Sequence, residues 1–303
     1  MRKRSAQALG RREGDFVPTL LKMLAGSDRY ARYGACEALG CLGPRANAAA
    51  PQLRAVFKDP DLWVQSLACN AVGGLGPEAR TASVNDLLVL AAHRNPDDPR
   101  GMTQRAVAAV LFDPNPDLNQ PGILHYSLEG VDRQLLYPAM KSLLQNDDAL
   151  ARYGLVPYVK ILTDRDLAAL LPAIVQATEN LAPSDEMFGD GIRLAGLDLL
   201  SRLHIREGIP LCVSVIELDR WGAGDRISKC LECLGRYGVH AKTVLPQLRE
   251  MSRSAGDSSK DIDKLIAGIE ASTNEPALVN LNGFIAHASA KGDTSADKKK
   301  GTP

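Results

Sequence analysis

An all-α fold of stacked antiparallel helix pairs is predicted by three observations. The first is an internal repeat. Residues 28–46, "DRYARYGACEALGCLGPRA", align with residues 61–79, "DLWVQSLACNAVGGLGPEA", at an offset of 33, with nine of nineteen positions identical, among them Asp28/Asp61, Cys36/Cys69, Gly40/Gly73 and Gly43/Gly76. The second is that the unit returns late in the chain. "EALGCLGPRANAAAPQLRAV" from Glu37 aligns with "ECLGRYGVHAKTVLPQLREM" from Glu232, and Pro18 to Gly34 aligns with Pro138 to Gly154, where "ARYG" is kept entire. The third is punctuation that suits helices at each step, with no strand-like alternation anywhere.

The elements follow in order. "SAQALG" at 5–10 echoes "CEALG", the end of a second helix with no first helix before it. A repeat array normally ends in a polar cap, so this start predicts a fragment of a longer polypeptide, or an end packed on something else. Helices are expected at 15–25, 28–42, 46–57, 61–75, 80–93 and 100–112, making residues 1–112 a first array. Residues 113–131, "DPNPDLNQPGILHYSLEGV", hold three prolines and two glycines and form an irregular loop. A second array is expected over 132–272, with helices at 132–145, 148–162, 164–181, 187–204, 208–219, 224–236, 240–253 and 258–272. "APSDEMFGDG" at 182–191 interrupts it. Residues 273–303 form a polar, largely disordered tail, with disorder placed at 290–303 after a short helix in "PALVNLNGFIAHASA".

Each unit has a physical grammar. The first helix, as in "PTLLKMLAG" and "PQLRAVFKD", carries Pro in its first turn, where the missing N–H costs nothing. Asp28, Asp61, Asp148 and Asp225 are each placed to N-cap a second helix. The glycines of "LGCLGP" and "GGLGP" then suit a left-handed helix C-terminus before Pro bars continuation.

Composition narrows the function classes. Thirty-six basic and thirty-six acidic residues cancel, which removes the overall electrostatic argument for nucleic acid or an anionic membrane. No run approaches the ~20 apolar residues of a membrane span. The basic start lacks a secretory apolar core. A complete chain would thus be cytoplasmic, whereas a missing N-terminus would leave its location open.

The pattern "D…R…A..AL..LG" between "P.L..L" helices resembles HEAT repeats, nearest to the short Ala- and Gly-rich kind of phycobilisome-lyase-like proteins. The resemblance spans roughly 5–112 and 132–272. It implies a right-handed α–α superhelix, and a place as the C-terminal part of a larger bacterial protein.

Candidate chemistry is sparse. Cys36 and Cys69 fill one repeat slot and suit packing. Cys230 and Cys233 lie at i, i+3, but a zinc site needs further ligands, and neither a second CxxC nor HxxxH occurs. No HExxH or HE pair supports the dinuclear iron known among HEAT proteins. "GGLGP" follows no strand and lacks GK[ST], so no phosphate loop is expected. These absences lead to an expectation of no catalytic residue, no metal ligand and no cofactor.

Binding residues are expected in two places. Arg32, Gln65 and Arg152 share one repeat position, Tyr33, Ser66 and Tyr153 the next, and Tyr30, Trp63 and Leu150 another. In a HEAT array the second helices line the concave face, so Arg32, Tyr33, Trp63, Gln65, Arg152 and Tyr153 would form a ladder for a partner. The plainer reading pairs Asp28 with Arg32 and Asp148 with Arg152 at i, i+4. His125 and Tyr126, with Glu129, form the second candidate, in the irregular loop.

The favoured function is a non-catalytic protein- or peptide-binding scaffold. An enzyme part is the alternative, whether tetrapyrrole-lyase-like or the accessory C-terminal domain of a larger bacterial enzyme whose upstream domains would be partners. A nucleic-acid-binding HEAT-like module is third, favoured by Arg2, Lys3, Arg4, Arg11 and Arg12 and opposed by overall neutrality.

Overall fold

The computed structural model describes residues 2–112, 121–183 and 189–297. The chain divides into two compact units, Met1–Ile161 and Leu162–Pro303. Among the described residues the regular structure is helical, apart from isolated bridge residues such as Ile205 and Val279, which form a parallel bridge.

Unit 1 holds α1 (Arg2–Gly10), α2 (Val17–Leu24), α3 (Arg29–Leu42), α4 (Ala50–Ala55), α5 (Leu62–Gly74), α6 (Pro77–Thr81), α7 (Val84–Ala92), α8 (Met102–Leu111), α9 (Arg133–Leu144) and α10 (Ala149–Tyr153). Helices α1, α3, α5, α8 and α10 pack each on the next as one layer, and α2, α4, α7 and α9 back them as a second. The cause is the small, apolar face of the repeat. Helix α3 buries Ala35, Cys36, Ala38 and Leu39, and α5 buries Val64, Ala68, Cys69 and Val72.

Small residues let the two backbones meet. A Cβ on Gly40 would come within 3.0 Å of Ala71 Cα, and one on Gly74 within 2.5 Å of the Gly40 carbonyl. Gly40 therefore marks a helix crossing, not the helix stop expected of it. Gly43 is the stop, at φ 62°, and Gly238 repeats the conformation at φ 59°. Gly76, at φ −68°, instead starts α6.

Several expected helices are shorter. The 46–57 helix is a 3-10 turn over Gly43–Ala49, then α4, then another over Val56–Lys58. The 80–93 helix divides into α6 and α7 around Ser83, whose hydroxyl donates to the Ala79 carbonyl at 2.8 Å. The 148–162 helix ends at Tyr153 and resumes as a 3-10 turn over Val156–Lys160, since Pro157 brings no donor for a continuing helix. The compact units part at 161/162, beyond the irregular segment, because α9 packs on α7 and α10 on α8. Residues 113–120 of that segment lie outside the described residues. Its remainder folds back on α8 through Ile123 N–H to the Val110 carbonyl (2.9 Å) and Leu124 N–H to the Leu111 carbonyl (2.8 Å).

Unit 2 holds α11 (Asp164–Glu179), α12 (Asp190–Arg202), α13 (Gly208–Ser214), α14 (Ala223–Tyr237), α15 (Leu245–Ser254), α16 (Ser259–Ala271) and α17 (Leu281–Asp297). Its core gathers Leu197, Ile227, Leu234, Tyr237, Leu248 and Ile262. Residues 184–188 of the expected 182–191 break lie outside the described residues. Asp225 does not cap: α14 starts behind Gly222 at φ 82°, which leaves Asp225 in its first turn. Within the polar C-terminal stretch, residues 272–280 form no helix, and Val279 makes a bridge to Ile205. Val279 N–H donates to the His204 carbonyl (3.1 Å), and Arg206 N–H returns a bond to the Val279 carbonyl (2.9 Å). Helix α17 then packs on α11, so residues 290–297, expected to be disordered, are helical. Residues 298–303 lie outside the described residues.

Candidate functional site

The second helices of unit 1 begin in a shared local geometry. Asp28 accepts from Tyr30 N–H (2.8 Å), Asp61 from Trp63 N–H (2.9 Å) and Asp148 from Leu150 N–H (2.8 Å). These are the expected N-caps, each satisfying a donor that the helix start leaves open. Two residues upstream a further acceptor recurs, with Asp59 Oδ1 taking Asp61 N–H (2.9 Å) and Asn146 Oδ1 taking Asp148 N–H (2.8 Å).

The expected ladder splits on this frame. Arg32 forms an ion pair with Asp59 of the following repeat and not with Asp28. Gln65 Nε2 donates to the Asp59 carbonyl at 2.6 Å, while its Oε1 accepts from Thr103 Oγ1 at 3.2 Å. At the equivalent position Arg152 Nε donates to the Asn146 carbonyl at 2.5 Å. Gln104, between them, donates to the Ala91 carbonyl (2.6 Å) and to Ser142 Oγ (2.7 Å), and its Oε1 accepts from Asn146 Nδ2. The Tyr33 hydroxyl donates to Asp61 Oδ2 at 2.7 Å. Arg32, Tyr33, Gln65 and Gln104 tie one repeat to the next, while Arg152 secures the turn ahead of its own helix. Most of their buried donors meet acceptors, the exception being Arg32 Nε, which is buried without a hydrogen-bond partner.

Electrostatics agree with burial. Burial, then the bond to Asp61, pushes the Tyr33 phenol up. Burial opposes the Asp61 charge, yet the Tyr33 hydroxyl, the Trp63 and Val64 N–H groups and nearby Arg29 hold its carboxyl below the ordinary range. Burial lowers Arg152.

What remains exposed is aromatic. Tyr33 is 4% accessible, whereas its neighbour Tyr30 is 64% and Trp63, in the repeat position of Tyr30, is 55%. Tyr30 stands edge-on to Tyr33 at 5.9 Å, and the Arg29 guanidinium lies 5.4 Å from the Tyr30 ring centre. Tyr153 is also exposed. His125 Nδ1 donates to the Phe112 carbonyl at 3.2 Å and its ring meets exposed Tyr126 edge-on at 4.6 Å, so His125 secures the loop to the end of α8.

The thiols are interior groups. Burial pushes Cys36 up to about 12 and raises Cys69 further still. Cys230 donates to the Cys212 carbonyl at 2.8 Å. A bond with Cys212, opposed by burial, holds Cys233 below the usual thiol value, with Ser201, Lys229 and Arg236 adding to it. Among the described residues no cluster of three or more His, Cys, Asp or Glu side chains is arranged to hold a metal ion. His240 Nε2 instead donates to the Pro276 carbonyl at 2.9 Å.

Asp59, Thr103, Gln104 and Asn146 were not anticipated. The alignment of "DPD" at 59–61 with "NDD" at 146–148 was the available signal for two of them. Nothing in the repeat marked Trp221, the most exposed tryptophan, which stands in the 217–222 turn of unit 2.

The two layers of helices in unit 1, with recurrent caps and inter-repeat ties, define an α-helical repeat fold. Residues 17–110 match the family of HEAT repeats, so this stretch of the all-helical chain is similar to HEAT repeats. The match does not extend to the phycobilisome-lyase-like type. A search of curated proteins finds no match. No described helix is long and apolar enough to cross a membrane.

Proposed function

We propose that the chain is a non-catalytic scaffold that binds a protein or peptide through the exposed row at the starts of its second helices. The observation that carries this reading is the contrast between adjacent positions. Arg32, Tyr33 and Gln65 turn inward and tie one repeat to the next, and Arg152 bonds the Asn146 carbonyl ahead of its own helix, while Tyr30 and Trp63, one repeat apart, stand in solvent. Exposed aromatics cost solvation and are the residue types that most often anchor partners. Their backbone is held by caps and ties beneath, which reduces the ordering cost of binding.

Site-specific photo-crosslinking tests this. A benzophenone side chain placed at position 30 or 63 should give a discrete adduct in cells, while one at exposed Glu78 should not. Equal labelling at all three positions, or none at 30 and 63, would remove the proposal.

A further inference from the structure

Unit 2 carries a second surface of a different kind. The guanidinium of Arg226 is wholly inaccessible and has five N–H donors. Nε donates to the Ile216 carbonyl (2.9 Å), Nη1 to the Trp221 carbonyl (2.6 Å) and Asp190 Oδ2 (2.9 Å), and Nη2 to the carbonyls of Glu217 (2.7 Å) and Arg220 (2.8 Å). Every donor is used, and four carbonyls of one short turn converge on one side chain.

The turn is pinned from its other side as well. Glu217, at φ 42°, receives Arg193 in a two-pronged pair at 2.9 and 3.0 Å and Arg220 Nε at 2.6 Å. Arg220 also pairs with Asp190. This network fixes a non-glycine residue in a disfavoured conformation, and structure of that kind persists only where its surroundings over-determine it. The turn presents Trp221, which is 76% accessible.

The charges are sorted by depth. Arg193, Arg220 and Arg226 turn inward against Asp190 and Glu217. Exposed Asp219 and Asp225, two residues before and four after the tryptophan, point the other sign outward, and among the described residues neither forms an ion pair. An exposed indole on a fixed turn, with two exposed carboxylates within four residues of it in sequence, complements a cation, since the ring face attracts ammonium and guanidinium groups and carboxylates draw them in.

We propose that Trp221, flanked by Asp219 and Asp225, docks a lysine- or arginine-rich segment of a partner protein. The site is independent of the aromatic row in unit 1.

Fluorescence anisotropy of a short, labelled Lys- and Arg-rich peptide without aromatic residues, titrated with the full chain, tests the site. Saturable binding is expected at low salt. An acidic peptide of the same length should not bind. Trp221→Ala should weaken binding by about fivefold or more, and Asp219→Asn with Asp225→Asn should weaken it and flatten its salt dependence. Circular dichroism should show these exposed variants folded as the parent is. Absence of saturable binding would overturn the proposal. So would unchanged affinity in Trp221→Ala, which would leave only diffuse charge attraction. Substitutions at Tyr30 and Trp63 should leave this affinity intact, so the two surfaces can fail separately.

Discussion

The Tyr33 hydroxyl donates to Asp61 Oδ2 at 2.7 Å, joining the second helix of one repeat to the cap of the next. Asp61 also receives the Trp63 N–H at 2.9 Å and lies 3.7 Å from Arg29 Nε, so one carboxylate serves both the helix start and the stack. Tyr33→Phe should cost about 0.5 to 1.5 kcal/mol, the net worth of one hydrogen bond. Chemical denaturation should register this as a lower midpoint with an unchanged slope.

Two glycines test the helix crossing. A Cβ at Gly34 meets nothing within 4 Å, whereas one at Gly74 falls 2.5 Å from the Gly40 carbonyl. Gly34→Ala should stabilise by about 0.5 to 1 kcal/mol through helix propensity. Gly74→Ala should destabilise by about 1 to 3 kcal/mol, because overpacking outweighs the same propensity gain. Melting temperatures that move in one direction for both would contradict the crossing.

Leu39 is fully buried between stacked helices. Its replacement by Ala should cost about 2 to 5 kcal/mol through lost transfer free energy and a residual cavity. An unchanged thermal transition would place Leu39 outside the core.

Acid stability should depend on Asp198. Burial opposes its charge, but Lys229 Nζ at 2.7 Å and Arg236 Nη1 at 2.9 Å hold its pKa at about 2. The depressed value means that the stabilisation is present above the unfolded pKa and is lost as pH falls through the folded one. Stability of the parent should thus drop between about pH 4 and pH 2. Asp198→Asn should be less stable at neutral pH and flatter over that interval in a pH series of denaturation midpoints.

Arg226→Ala should cost about 3 to 5 kcal/mol, because it leaves the four carbonyls without the donor that now satisfies them and takes one of its cationic partners from Asp190. Trp221→Ala, on the same turn, should stay within about 0.5 kcal/mol of the parent, since it removes an exposed side chain. Thermal denaturation of the two variants should therefore separate the frame from what it displays.

The repeat was legible because its parts act locally. An aspartate at a helix start caps it through a nearby N–H, and a glycine can end a helix where proline follows, so Asp28, Asp61, Asp148, Gly43 and the small, apolar faces of α3 and α5 could be placed from order alone. Asp225 misled because Gly222 starts the helix earlier, and Gly40 because a helix crossing and a helix stop demand the same residue. The ladder was half legible. Spacing put Arg32, Gln65 and Arg152 in one register, but only packing decided that they turn to Asp59 and Asn146: Arg32 reaches Asp59 across the repeat, while Gln65 and Arg152 each reach the carbonyl six residues before them.

Sequence alone thus determined the class, the repeat and the capping, all of which rest on contacts within a few residues. Tertiary structure decided which aromatic side chains stay in solvent, which polar groups tie the stack, and how Arg226 gathers one turn around Trp221. Burial and the choice of hydrogen-bond partner are properties of the packed chain, and those two properties separate Tyr30 from Tyr33.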